Sequence, residues 1–196
     1  MNKLAALKAN LKRGHVYTRP DLAKWSKAVD RHVQQLLLEG TLKKLSPGVY
    51  YYPKQTAFGD APADENTLVR TFLKDDRFLI TSPNVYNSLG IGTTQLYNKR
   101  IVYNHKRHGE FKLGNRSFYF RVKSHFPKKA TTEFLFVDLV NNLDTLAEEP
   151  QLILEKVKVK LKDFDRDKVK RNLIEYGSVK TIRLLAPLLE NTNEYA

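Results

Sequence analysis

The sequence of 196 residues predicts an α+β protein, in which a small basic N-terminal domain precedes a larger mixed domain. Two helix signals and two short apolar runs occur before Pro53, and a segment rich in Gly, Ala, Pro and Asp follows them. Beyond it, strand-like runs between Lys99 and Val122 precede helical patterns. We therefore expect a small antiparallel sheet in the second domain and helices at its C-terminal end.

The first helix signal begins at Thr18. A threonine at this position is a good N-cap, and Pro20 and Asp21 are typical of the first turn that follows one. We expect this short helix to end near Trp25.

A second helix is expected directly after it, with Ser26 as its N-cap. Its apolar stripe consists of Val29, Val33, Leu36 and Leu37, and the helix is expected to end at Gly40. Its outward residues are Lys27, Asp30, Arg31 and Gln34. These residue types reach base edges and phosphates when a recognition helix lies in a major groove.

Two short strands are expected next, over residues 42–45 and 49–52, around the turn Ser46-Pro47-Gly48. Lys43 and Lys44 precede this turn, where a wing would set them over the phosphate backbone. Residues 1–54 thus have the pattern of a winged helix-turn-helix domain, and DNA is the expected partner. The expected DNA-contacting residues are Thr18, Arg19, Lys27, Asp30, Arg31, Gln34, Lys43, Lys44 and Ser46.

Another interpretation of this domain stays open. A helix-turn-helix followed by a hairpin also occurs as a protein-interaction module, and a polar outward face is common on surface helices.

Residues 55–64 are predicted to be a linker, and residues 65–196 to form the second domain. Helices are expected over 65–73, from Ser82 to Leu89, and from Thr131 or Thr132 to about Leu146. Strands are expected over 78–81, 99–104, 110–113 and 117–122, with a tight hairpin between the last two. Three further helices are expected over 152–161, 167–176 and 179–189.

Positive charge is concentrated in the first two thirds of the chain, whose net charge is +13. Residues 1–53 contain ten Lys and Arg against three Asp and Glu, and residues 54–130 contain fourteen against six, whereas residues 131–196 contain ten against twelve. Such a distribution favours an anionic polymer as partner. A secondary basic patch is expected on the sheet of the second domain, formed by Lys99, Arg100, Lys106, Arg107, Lys112, Arg116 and Arg121.

The composition also argues against several classes of protein. The apolar runs are too short to span a bilayer, no signal peptide is apparent, and the chain has no cysteine, so we expect a cytoplasmic protein without disulfides. His105 and His108 have a spacing that metal sites use, but Lys106 and Arg107 between them would repel a cation. No nucleophile, phosphate-binding or dinucleotide motif is present. We therefore expect no catalytic residue, no metal and no cofactor.

Four segments, in this order, resemble the AbiEi family of abortive-infection antitoxins and their short relatives: EGTLKKLSPGVYYYP, SPNVYNSLGIGTTQLYNKRIVY, GEFKLGNRSFYFR and YGSVKTIRLLAPLLE. The resemblance extends from about Leu11 to Glu190. It implies an N-terminal winged domain that binds inverted repeats upstream of a two-gene operon. It also implies that Lys27, Asp30, Arg31 and Gln34 are recognition-helix positions, and that Lys43, Lys44 and Ser46 are wing positions.

The resemblance further implies a function of the type IV toxin-antitoxin class. The chain would be a transcriptional autorepressor, and its C-terminal domain would counteract a nucleotidyltransferase-type toxin, AbiEii. The alternative is a stand-alone module without a toxin, which binds a partner protein, structured RNA or single-stranded RNA.

Overall fold

The computed structural model describes residues 3–91 and 95–190 and has a mixed α+β fold with small antiparallel sheets and C-terminal helices. The described helices are α1 Lys3–Asn10, α2 Arg19–Ala23, α3 Val29–Leu38, α4 Glu65–Leu73, α5 Thr132–Asn141, α6 Pro150–Lys160, α7 Arg166–Tyr176 and α8 Val179–Glu190. The described strands are β1 Val16–Thr18, β2 Lys43–Ser46, β3 Val49–Tyr51, β4 Lys54–Thr56, β5 Gly59–Ala61, β6 Phe78–Thr81, β7 Arg100–Asn104, β8 Gly109–Leu113 and β9 Arg116–Val122.

The chain divides into two compact units. The first consists of Met1–Asp76 and Lys106–Tyr119, and the second of Arg77–His105 and Phe120–Ala196, whose residues 191–196 lie outside the described part. The sequence predicts a linker at residues 55–64, and the hairpin of β4 and β5, which begins at Lys54, covers most of that segment. Residues 106–119 belong to the first unit because they pack on it: the backbone N–H of Gly114, for example, donates to the carbonyl of Leu45 at 2.7 Å.

In the first unit, helices pack on a three-stranded antiparallel sheet with the strand order β1-β3-β2. Val16 pairs with Tyr51 and Thr18 with Val49 in the β1–β3 register. The core beside this sheet consists of Leu4, Leu7, Leu11, Tyr17, Leu22, Val29, Val33, Leu36 and Leu42. The two expected strands are present as β2 and β3; β2 is shifted by one residue, so that Ser46 ends the strand and the turn consists of Pro47 and Gly48, and β3 is one residue shorter than expected.

Several local features of the first unit differ from the expectations. Helix α1 and strand β1 are not predicted by the sequence pattern; both are short, and contacts with distant residues bury them. Helix α2 ends at Ala23 rather than near Trp25. Helix α3 begins at Val29, and its N-cap is Ala28 instead of Ser26.

The second unit holds β6, β7 and the last part of β9 as neighbouring strands, together with α5 to α8. The expected helix after Ser82 is a 3-10 helix, Pro83–Leu89. Helix α5 ends at Asn141 rather than Leu146, and a short 3-10 turn follows it. Helix α6 starts two residues earlier than expected, because Pro150 occupies its first turn. Proline fits there because backbone N–H groups in the first turn have no acceptor within the helix, so its missing N–H breaks no hydrogen bond. In the described part of the chain, no helix has the length and apolar character that crossing a membrane requires.

Candidate nucleic-acid interface

Helix α3 is amphipathic, and its polar side faces solvent. Val29, Val33 and Leu36 are buried on one side, as the apolar stripe predicts. Asp30, Arg31 and Gln34 are exposed on the other, and Lys27 is exposed in the turn that precedes the helix. The four outward residues expected from the sequence are therefore all accessible to a partner.

The start of α2 is fixed by a reciprocal cap between Thr18 and Asp21. The Thr18 hydroxyl accepts from the Asp21 N–H at 3.3 Å, and the Thr18 N–H donates to the Asp21 carboxylate at 3.0 Å. Although partial burial raises the pKa of Asp21, hydrogen bonds from Thr18 and Lys24 outweigh it and hold this pKa below its ordinary value. The Thr18 hydroxyl, expected at the DNA surface, is thus engaged in capping a helix.

Arg19 and Asp30, both expected to contact DNA, bind each other. The guanidinium Nε donates to Oδ1 at 2.7 Å and Nη2 donates to Oδ2 at 2.6 Å, a bidentate pair between α2 and α3. These hydrogen bonds from Arg19, together with its charge, lower the pKa of the Asp30 carboxyl. The backbone N–H of Arg19 also donates to the carbonyl of Gly48 in the β2–β3 turn, at 2.9 Å.

A buried hydrogen bond holds the turn between α2 and α3. Ser26 and His32 are both buried, and the Ser26 Oγ lies 2.7 Å from the His32 Nδ1. Ser26 therefore bonds to a side chain within α3 instead of capping its backbone, which corrects the expected cap. The buried role of His32 was not predicted from the sequence. The signal that could have indicated it is its position three residues after Val29, next to the apolar stripe of α3.

The two lysines of the β2–β3 hairpin are exposed, but one of them is paired. Lys43 and Lys44 lie in β2, the strand before the turn, as expected, and Lys43 forms an ion pair with Asp60 at 2.6 Å. A hydrogen bond from Lys43 is the main reason why the pKa of Asp60 is lowered. Ser46 is buried, and among the described residues its hydroxyl has no hydrogen-bond partner, so it does not face an incoming phosphate.

The secondary basic patch is divided between the two units. Lys106, Arg107, Lys112 and Arg116 belong to the first. Lys106 donates to the carbonyl of Lys74 at 2.8 Å, and the guanidinium of Arg107 lies 4.6 Å from the centre of the Phe72 ring. Arg116 donates to the carbonyl of Ala63 at 3.1 Å and pairs with Glu65. Three of these four cations therefore hold residues 106–119 against α4 and the residues flanking it, while Lys112 is exposed.

In the second unit, Lys99 is exposed, and Arg100 and Arg121 are half-buried. Arg121 donates from Nη1 to the side-chain oxygen of Asn142 at 2.6 Å. It thereby reaches a buried polar cluster, which consists of Tyr86, Tyr103, Lys123, Asp138 and Asn142. No local sequence pattern predicts this cluster.

Asp138 is the centre of this buried polar cluster and is fully buried. The hydroxyls of Tyr86 and Tyr103 donate to its carboxylate at 2.8 and 2.9 Å, and the Lys123 ammonium lies 3.1 Å from it. Asn142 donates to both tyrosine oxygens at 3.1 Å. Burial, and then the negative charge of Asp138, raise the pKa of both tyrosines, which therefore stay neutral donors.

The two histidines at metal-site spacing have aromatic neighbours. His105 stacks on Phe126 with ring centres 4.8 Å apart, and His108 meets the Tyr119 ring edge-on at 5.8 Å. Over residues 3–91 and 95–190, no three His, Cys, Asp or Glu side chains are grouped to hold a metal ion.

Comparison with known proteins adds information on the fold alone. No protein-family model matches the sequence, and no curated protein matches it. The structure is similar to the crystal structure of the RV2827C protein from Mycobacterium tuberculosis, with a TM-score of 0.57 and 14% sequence identity. The similarity covers 95% of this chain and 74% of that chain, so it concerns the architecture of nearly all of the present protein.

Proposed function

We propose that this protein is a DNA-binding transcription regulator whose residues 3–53 act as a winged helix-turn-helix. The order α1-β1-α2-α3-β2-β3, with a three-stranded sheet, supports this assignment. The observation that carries it is the surface of α3, where Arg31 and Gln34 are exposed opposite a buried apolar side. Exposed side chains on a rigidly packed helix suit insertion into a major groove.

The contacts refine the roles of individual residues. Arg31 and Gln34 are the proposed base readers, and Lys27 lies in the turn just before the same helix. Lys44 is the proposed phosphate contact of the hairpin, since Lys43 is paired with Asp60. Thr18 and Ser46 act within the fold, as a helix cap and a buried residue.

Footprinting on the promoter region of its own gene tests this proposal. We expect protection of an inverted repeat, relaxed sequence preference in the double variant Arg31→Ala/Gln34→Ala, and uniformly weaker binding in Lys44→Ala. Lys158→Ala, an exposed lysine on α6, is the matched control and should leave both properties unchanged. Equal affinity for promoter and random DNA in the wild type would contradict the proposal.

We also propose, from the resemblance to the AbiEi family, that the protein is an autorepressor and the antitoxin of a nucleotidyltransferase-type toxin. Five large apolar side chains on α6 to α8 of the second unit are exposed, and they offer apolar surface that a protein partner could cover. They are Leu152, Val159, Ile174, Val179 and Ile182.

Co-expression with the product of the neighbouring gene tests the antitoxin role. A nucleotidyltransferase encoded there should arrest growth alone and be neutralised when this chain is present. The double variant Ile174→Asp/Val179→Asp should lose neutralisation while keeping promoter binding. Rescue by this variant at wild-type level would exclude that surface, and the lack of a toxic neighbour would remove the antitoxin role.

A further inference from the structure

The ion pair between Arg19 and Asp30 lies on the surface proposed to face DNA. Arg19 is the first residue of α2, and Asp30 is in the first turn of α3. Both carboxylate oxygens are occupied by the guanidinium, at 2.7 and 2.6 Å. Because the Arg19 N–H also binds Gly48, this residue links α2, α3 and the β2–β3 turn.

Folding stability gives little reason for this pair. The side chains of Arg19 and Asp30 remain 51% and 73% exposed, so water and salt screen their attraction and limit what even a bidentate pair adds to stability. Asp30 is also directly followed by Arg31, the proposed base reader. A carboxylate at this position opposes the approach of a polyanion. We therefore look for its role in how the protein binds DNA.

We propose that Asp30 is a specificity-determining residue, which engages Arg19 and so limits the sequence-independent part of DNA affinity. This inference rests on the proposed DNA-binding function. A phosphate that approaches Arg19 must displace a carboxylate already bound through two charge-assisted hydrogen bonds. Arbitrary DNA therefore gains less from Arg19 than it would from an unpaired arginine, and binding depends more on the base contacts of α3.

The test is Asp30→Asn, measured by fluorescence anisotropy on a random-sequence duplex between 50 and 300 mM salt. Freeing one cation for one phosphate should tighten binding about fivefold to tenfold near 0.1 M salt and steepen the slope of log K against log salt by about 0.9. Asp76→Asn is the matched control: it removes one exposed, arginine-paired carboxylate elsewhere in the same unit. It produces the same change in net charge.

The double variant Arg19→Gln/Asp30→Asn separates this role from simple repulsion. It should return random-DNA affinity to the wild-type value or below. The proposal is overturned if Asp30→Asn behaves like Asp76→Asn, or if the gain persists without Arg19. It is also overturned if Asp30→Asn weakens promoter binding and leaves random DNA unaffected, since Asp30 would then read a base. A wild-type chain that binds no duplex refutes the DNA-binding function itself, whereas an unaltered affinity in Asp30→Asn refutes only the role of Asp30.

Discussion

Removing the buried carboxylate of Asp138 should destabilise the second unit strongly. The variant Asp138→Ala deprives the hydroxyls of Tyr86 and Tyr103 of their acceptor and leaves the Lys123 ammonium without its counter-ion. The amide of Asn142 does not replace the carboxylate, because its nitrogen donates to the tyrosines and its oxygen is bound by Arg121.

The size of the loss follows from these contacts. Breaking a buried ion pair by deleting one partner costs about 3 to 5 kcal/mol. Each buried hydroxyl left without an acceptor costs about 1 to 3 kcal/mol, although the effects of neighbouring groups do not add fully. Lys123 is partly exposed and can turn towards water, which argues for the lower part of the range. We therefore expect a loss of about 3 to 4 kcal/mol in the free energy of unfolding.

Urea denaturation followed by circular dichroism measures this loss, because α5 to α8 all lie in the second unit. The matched control is Asp144→Ala, which removes an exposed carboxylate paired with Lys180 just after α5. It should cost less than about 1 kcal/mol. If Asp138→Ala loses no more free energy than Asp144→Ala, the buried polar cluster does not stabilise the fold and the reasoning is wrong.

Three further outcomes are expected. Gly114→Ala should lower stability by about 1 to 2 kcal/mol more than Gly48→Ala in urea titrations. Both glycines have positive φ, but of the two only Gly114 has a side chain, that of Leu45, at 3.0 Å from where a Cβ would stand. Equal losses would contradict this contact. Ser26→Ala should cost about 1 to 2 kcal/mol of stability, because it leaves a buried His32 nitrogen unpaired. Thermal melting followed by the fluorescence of Trp25, the single tryptophan, measures this loss. The control is Ser88→Ala, which changes an exposed serine in the second unit and should leave the melting curve unchanged. The pKa of the N-cap Asp64 lies below its ordinary value, and the largest cause is a hydrogen bond from the backbone of Thr67. The contribution of Asp64 to stability is therefore present above the unfolded pKa of about 3.9 and is lost as pH falls through the folded pKa. Asp64→Asn should flatten the acid limb of the stability–pH curve, and an unchanged limb would show that this cap is not linked to folding.

Local signals made much of the first unit predictable. The Thr18 and Asp21 cap, the stripe of α3 and the turn before β3 each depend on residues a few positions apart, and each feature is present in the structure, although Ser46 belongs to β2 and only Pro47 and Gly48 form the turn. A tight hairpin between β8 and β9 was predicted from Asn115-Arg116 after Gly114 for the same reason; in the structure the turn consists of Gly114 and Asn115, and Arg116 begins β9. By contrast, β1 has three residues, too few for an alternating pattern, and it exists because Val16 and Thr18 pair with β3.

The candidate site was predicted less completely than the fold. Charge and helical spacing were enough to locate the exposed residues Lys27, Arg31, Gln34 and Lys44. They did not reveal that Arg19 and Lys43 are paired with Asp30 and Asp60, which lie eleven and seventeen positions away in the sequence. Side-chain partners at such separations depend on how helices and strands pack, and no periodicity encodes them.

The sequence by itself therefore determined where positive charge accumulates, roughly where most helices and the β2–β3 and β8–β9 hairpins lie, and which side of α3 faces solvent, because these follow from composition and short-range spacing. Only the tertiary structure decided which cations remain available to a partner. In the folded chain Arg116 pairs with Glu65 and Lys123 with Asp138. Opposite charges form an ion pair when folding brings them close together, whatever their separation along the sequence. A basic sequence thus predicts attraction to a polyanion, whereas the folded chain selects the residues that can meet it.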